Sequence, residues 1–187
     1  MKKPKLTIEL IPSTSHYNNV RSLLPTSVWD KLRKESYKNA KYKCEICKDS
    51  GINQGYKHAL ECHEIWEYQN DTQILTGLIA LCPNCHMAKH IGRAIAIKKG
   101  PQIFKHIAKV NNWSMEDVEL YVGACFQDHK LKSKIKWEIN IKILIEKYNV
   151  DHKLIAEGMK KKLPKAPPWK SKRKKKKKIL SNKPKKN

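Results

Sequence analysis

Apolar and polar residues alternate in part from His58 to Ile65, and Trp66 to Tyr68 can continue the run, which predicts a strand. Gln69-Asn70-Asp71 is a turn signal. Thr72 to Leu81 is apolar and β-branched enough for the returning strand. Pro83 suits the first turn of a helix that carries His86, Met87 and His90. The central pattern is therefore strand, turn, strand, helix. Upstream, Lys5 to Ile11 reads as a short strand. Thr26 or Ser27 can cap a helix running to about Asn39, with Trp29, Leu32 and Ser36 on one face. Downstream, Pro101 to Val110 reads as a helix. Ser114-Met115-Glu116-Asp117 is an N-terminal cap for a second helix through about Lys130, with Trp113 as a staple before it. Trp137 to Ile145 reads as a strand, and His152 to Lys162 as a last short helix. No internal repeat is visible. The fold class is α+β.

Charge changes the picture at the C-terminus. The chain has 187 residues, with 40 Lys+Arg against 17 Asp+Glu and a formal charge of +23. Of the basic residues 36 are Lys and 4 are Arg; from Lys160 onward there are 15 and no acidic residue. This stretch holds Lys172, Arg173, Lys174, Lys175, Lys176, Lys177 and Lys178 in a row, with Pro164, Pro167, Pro168 and Pro184 around them. Such a segment buries too little apolar surface to order itself, so it reads as a disordered tail. Its functional reading is a non-specific phosphate-binding arm, or a targeting signal. The bland reading is a solubilising tail. The division expected along the chain is an extension over 1–25, a core over 26–92, a mainly helical extension over 93–158 and the tail over 159–187.

No apolar run approaches the roughly 20 residues of a membrane span. Glu9 and Pro12 interrupt any signal-peptide-like stretch behind the basic N-terminus. The expectation is a protein of the cytoplasm, in a bacterium or a phage-infected cell, or of the nucleus in a eukaryote. A polyanion is its expected partner.

Six cysteines narrow the chemistry. Cys44-Glu45-Ile46-Cys47 and Cys82-Pro83-Asn84-Cys85 are two C-x2-C turns, with a folded insert between them. Each turn places two thiolates on one side of a tight loop, and two such turns complete a tetrahedron around Zn²⁺. A structural zinc is favoured over disulfides in a chain expected in a reducing compartment. Cys125 reads as a small core residue.

Histidines crowd the same region: His58 and His63 before the second turn, His86 and His90 after it. On a helix, His86 and His90 project from one face, a spacing that suits two ligands of one divalent metal. A solvated basic helix is the plainer reading of that pair. Its place beside a zinc turn and a histidine-bearing strand favours a second metal site.

Three blocks together, Cys44-Glu45-Ile46-Cys47, Leu60-Glu61-Cys62-His63-Glu64-Ile65 and Leu81-Cys82-Pro83-Asn84-Cys85-His86-Met87-Ala88-Lys89-His90, resemble the HNH endonucleases of the ββα-metal, or His-Me finger, group. The resemblance covers about 42–92. It implies a small zinc-stapled finger with flanking helices and a metal-dependent DNA endonuclease, nicking or cutting both strands. Cys44, Cys47, Cys82 and Cys85 match the zinc ligands, and His86 and His90 match helical metal ligands. The strand pair has two registers. In one, His63 is the metal ligand and Glu64 stands at the general-base position. In the other, His63 is the base and Cys62 falls where the ligand should be. Gly77 replaces an Asn of the family, for which Asn70 or Asn84 are the substitutes in view. His63, Glu64 and His86 are thus the implied catalytic residues. His63, His86 and His90 are the implied holders of a catalytic Mg²⁺, Mn²⁺, Ni²⁺ or Zn²⁺. The implied partner is DNA, most simply double-stranded, with a homodimer or a protein partner for double-strand cleavage and no membrane. The rival is a non-catalytic zinc finger that binds DNA or RNA.

Overall fold

The computed structural model describes residues 3–15 and 19–162. Helices α1 (Val20–Leu23) and α2 (Thr26–Asn39) lead into the first cysteine turn. Strands β1 (Glu61–Gln69) and β2 (Thr72–Leu81) form an antiparallel hairpin, and α3 (Pro83–Lys89) follows at once. Then come α4 (Ile91–Ala96), α5 (Gly100–Asn111), α6 (Met115–Lys132), β3 (Glu138–Asn140), α7 (Ile143–Glu146) and α8 (His152–Lys162). The strand, turn, strand, helix pattern is therefore present. The turn is Asn70-Asp71, with φ of 48° and 56°. Both values lie in the left-handed region that a two-residue hairpin loop requires, and Asn and Asp tolerate it best after glycine.

Four local expectations are corrected. Lys5 to Ile11 forms no strand; it runs extended, and its Glu9 amide donates to the Lys89 carbonyl at 2.9 Å. The cap of α2 is Pro25, with no side-chain hydrogen bond, so neither Thr26 nor Ser27 plays that part. β1 begins at Glu61, leaving His58 in the loop before it. The strand expected over 137–145 is cut to Glu138–Asn140 and followed by α7, because Lys142 turns into the helical region. The Ser114 capping box forms as read, with Asp117 returning a bond to the Ser114 amide.

β1, β2 and β3 make one sheet in that order, β3 parallel to β2. Successive strand side chains point to opposite faces, and each face carries its own core. One cluster joins Leu6, Ile8, Cys44, Leu81, Ile91, Ile103, Ile107 and Val118. The other joins Val20, Leu23, Trp29, Leu32, Trp66, Leu75, Ile141 and Leu144. Both clusters mix residues from the segments before 26, within 26–92 and after 92, so those boundaries do not separate packing units. β3 adds a third strand to the β1–β2 hairpin.

No helix among the described residues is long and apolar enough to cross a membrane.

Candidate metal centres

Each cysteine turn is built by local backbone geometry. Lys48 and Tyr42 adopt positive φ around the first turn, and the Lys48 amide donates to the Cys44 carbonyl at 2.9 Å. In the second, Cys82 is the cap of α3, and its sulfur accepts from the Cys85 amide at 3.4 Å. Gln54 Nε2 donates to Cys82 Sγ at 3.2 Å. The four sulfurs lie within 4.8 Å of one another, and Cys47 and Cys82 are 3.5 Å apart. A tetrahedron with Zn–S near 2.3 Å has S–S edges of about 3.8 Å, so the cluster has the size a zinc ion needs. All four cysteines are free thiols. Cys47 is driven down by hydrogen bonds from Cys44, Cys82 and Cys85. Cys85 is driven up by its hydrogen bonds with Cys44, Cys47 and Cys82. Four cysteines this close could hold a structural metal ion such as zinc.

His106 joins this cluster from the side. Its Nε2 lies 3.2 Å from Cys85 Sγ. It supports the cysteine cluster from α5, a role with no signal in local sequence.

The second cluster combines His63, His86 and His90, whose candidate ligand atoms also lie within 4.8 Å of one another. Strand β1 supplies His63, and α3 supplies His86. His90 sits at the junction of α3 and α4, where its amide still bonds the His86 carbonyl at 3.2 Å. The ring centroids are 4.8 to 5.2 Å apart and the rings meet edge to face. Such a set could hold one metal ion through three nitrogens.

Carboxylates hold the outer edges of two rings. Glu9 Oε2 accepts from His63 Nε2 at 2.8 Å, and Glu61 Oε2 accepts from His86 Nδ1. The other nitrogen of each ring is then the lone-pair donor, the tautomer a metal ligand needs. Burial pushes His90 down to about 3, helped by the nearby His63 and His86. Burial also lowers His63. Both are therefore neutral at neutral pH. Burial raises Glu9, but its bonds and charge contacts with His63 and Lys89 outweigh this and bring it to about 2. Lys89 is itself only 5 % exposed and donates to Glu9 Oε1 and to Thr7 Oγ1.

The strand register is decided by alternation. His63 and Glu61 face α3; Cys62 and Glu64 face the opposite side with Trp66. The expected placing of Glu64 in the site is corrected accordingly. Its Oε1 accepts from the Val20 amide at 2.8 Å and the Arg21 amide at 3.3 Å, and its Oε2 from Trp66 Nε1 at 3.1 Å. It anchors α1. Cys62 is likewise turned away, and burial pushes its thiol up to about 12. Gly77 pairs with Ile65 and lies against the Ile65 and Tyr148 side chains. Asn70 forms the hairpin turn, while Asn84 accepts from Tyr56 Oη at 2.8 Å. The partner of His63 is instead Glu9, 54 positions upstream, which the sequence marked only as a charge in a basic leader.

His86 and Glu61 also line an open cleft of about 590 Å³. His58 stands at its edge, half exposed, with Nε2 2.9 Å from Glu61 Oε1. Lys172 to Lys178 lie outside the described residues. Comparison with family models, curated proteins and solved structures yields no match.

Proposed function

We propose that this protein is a metal-dependent endonuclease of the HNH kind, hydrolysing phosphodiester bonds of DNA. One observation carries the reading: three imidazoles converge from a strand and a helix, with His86 at the wall of an open cleft, beside a separate four-cysteine cluster. The cysteine cluster closes on itself and staples the fold. The histidine cluster reaches solvent through His86, which is 22 % exposed. A divalent ion there would supply a Lewis acid for the scissile phosphate and its leaving oxygen. His63, His86 and His90 would hold it, and Glu9 and Glu61 keep two of the rings aimed. A nitrogen-rich set suits Mn²⁺, Ni²⁺ or Zn²⁺ beside Mg²⁺.

With Glu64 on the far face, the proton acceptor is sought in the cleft. His58 fits: Glu61 holds its Nε2, and its Nδ1 is free of the cluster to take a proton from water. The buried His63 suits a ligand better than a base, since it is 3 % exposed. The Lys-rich tail would add salt-sensitive, sequence-independent affinity.

Supercoiled plasmid is the test substrate, with Mg²⁺, Mn²⁺ or no added metal. Wild type should nick or linearise it, and His63→Ala and His86→Ala should not. DNA binding without cleavage under every metal, with the cysteine zinc intact by elemental analysis, would favour the non-catalytic finger. That rival is supported by Glu64 turning to the far face of β1 and by Gly77 standing where the family has an Asn.

A further inference from the structure

The cleft beside the histidines has an unusual lining. Among the described residues there are three arginines, Arg21, Arg33 and Arg93, and all three line it. No lysine does, although lysines outnumber arginines nine to one along the chain. The arginines come from three different elements, α1, α2 and α4, so no local repeat explains their meeting. Arg21 and Arg93 are exposed, and Arg33 is half-buried.

Two carboxylates hold this arrangement. Glu64 accepts from the backbone amides of Val20 and Arg21, which pins the turn from which the Arg21 side chain leaves. Asp30 accepts the Nε–H of Arg33 at 2.6 Å, which fixes that guanidinium at the cleft wall. Trp29, Tyr37 and Leu60 line the same cleft, as does Asp30 itself. His58, Glu61 and His86 lie along the same cleft. Guanidinium groups differ from ammonium groups in presenting a planar fork that grips two phosphate oxygens at once. Among the described residues the cations lining this cleft are all arginines, which suits that geometry, and Lys99 lines the hollow that adjoins it through His58, Glu61, His86 and Arg93.

We infer that this cleft seats the phosphodiester backbone of one nucleic-acid strand, with Arg21, Arg33 and Arg93 gripping phosphates on either side of the bond presented to the histidine cluster. The contacts are to the backbone and carry no base information. This seat rests on the nuclease reading only in taking a nucleic acid as ligand. Glu64, absent from the histidine site, acts here as a positioning residue for Arg21.

The test is equilibrium binding of the full-length, zinc-loaded protein to a short fluorescent DNA duplex across a range of salt, with no other metal added. Wild type is compared with the triple Arg→Gln and the triple Arg→Lys variants at 21, 33 and 93. Each lost phosphate contact should lower the salt slope by about 0.9, so the Gln variant should lose roughly two to three. The Lys variant should keep the slope yet bind several-fold more weakly, because charge remains and the fork is gone. Gln at Lys105 and Lys109, exposed residues that do not line the cleft, should change neither. An unchanged slope in the triple Gln variant, or an equal loss from the Lys105 and Lys109 pair, would overturn the seat. If the triple variant does not fold, Arg21→Gln and Arg93→Gln alone decide, each expected to cost about one unit of slope. Parallel arms with single-stranded DNA and RNA identify which nucleic acid supplies the backbone; binding to none of them overturns the seat. Metal-dependent cleavage with arginine-independent binding sinks the seat and leaves the nuclease. Arginine-dependent binding with no cleavage under any metal does the reverse.

Discussion

Glu9→Gln should destabilise the fold by about 3 kcal/mol at neutral pH. The carboxylate holds two buried partners, His63 Nε2 at 2.8 Å and Lys89 Nζ, and is itself 27 % exposed. Two routes give the size. Holding Glu9 at about 2 against an ordinary 4.5 corresponds to about 3 kcal/mol, at 1.36 kcal/mol per unit. Removing one member of a buried ion pair costs about 3–5 kcal/mol, because the other charge is stranded. Lys89, 5 % exposed, would keep its bond to Thr7 Oγ1, a neutral hydroxyl. The sign with pH follows from linkage. A carboxylate depressed in the folded state contributes fully above its unfolded pKa, and that contribution is lost as pH falls from 4.5 through 2. The Gln penalty should thus be constant from about pH 7.5 to 5.5 and shrink only under about 4.5. The assay is urea unfolding of zinc-loaded wild type, Glu9→Gln, Lys89→Met and the double variant. The double variant should be more stable than the two single losses added together predict, by on the order of 2 kcal/mol, since it leaves no stranded ammonium. A Gln penalty under about 1 kcal/mol, additive with Lys89→Met, would refute the pairing as the source of the energy. A penalty that instead changes near about pH 6.5 would assign it to histidine protonation.

Cys47→Ser should lose one equivalent of zinc and the cooperative unfolding transition, read by elemental analysis and near-ultraviolet circular dichroism, because a structural zinc site folds with its metal. Glu61→Gln should weaken Mn²⁺ binding at the histidine site by about 10–100-fold while leaving the cysteine zinc in place, measured by isothermal titration. His90, held at about 3 by burial, sits below its unfolded value of 6.5, so stability should fall as pH drops from 6.5 towards 3 and His90→Gln should flatten that limb in thermal melts. Gly51→Ala should lower the melting temperature, since a Cβ there would stand 2.2 Å from the His58 carbonyl oxygen and 2.6 Å from Pro83 Cδ, an overpacking worth about 1–3 kcal/mol or more.

Glu64 and Glu9 show why adjacency in sequence misleads at this site. Glu64 neighbours His63 along the chain, yet the two-residue period of a strand sends it through the sheet to the other face. Glu9 is remote in sequence, yet the extended N-terminal segment lies along the end of α3 and delivers its carboxylate to the same ring. His106 reaches Cys85 in the same way, from a helix that docks on α3. Each of these contacts depends on how separate elements pack, and no spacing rule records it.

The amino-acid sequence by itself determined what local rules govern. Two C-x2-C turns close on themselves, an Asn-Asp pair takes the positive φ of a hairpin, and a proline opens the helix that carries His86. Those features depend on residues a few positions apart, so their physics is legible in order. Tertiary structure alone decided which face of β1 meets α3, and with it that His63 enters the histidine cluster while Glu64 leaves it. It also decided that three arginines from three helices share one cleft. Burial of the two cores fixes how the helices dock on the sheet, and docking is what brings residues scattered along the chain into one chemical site.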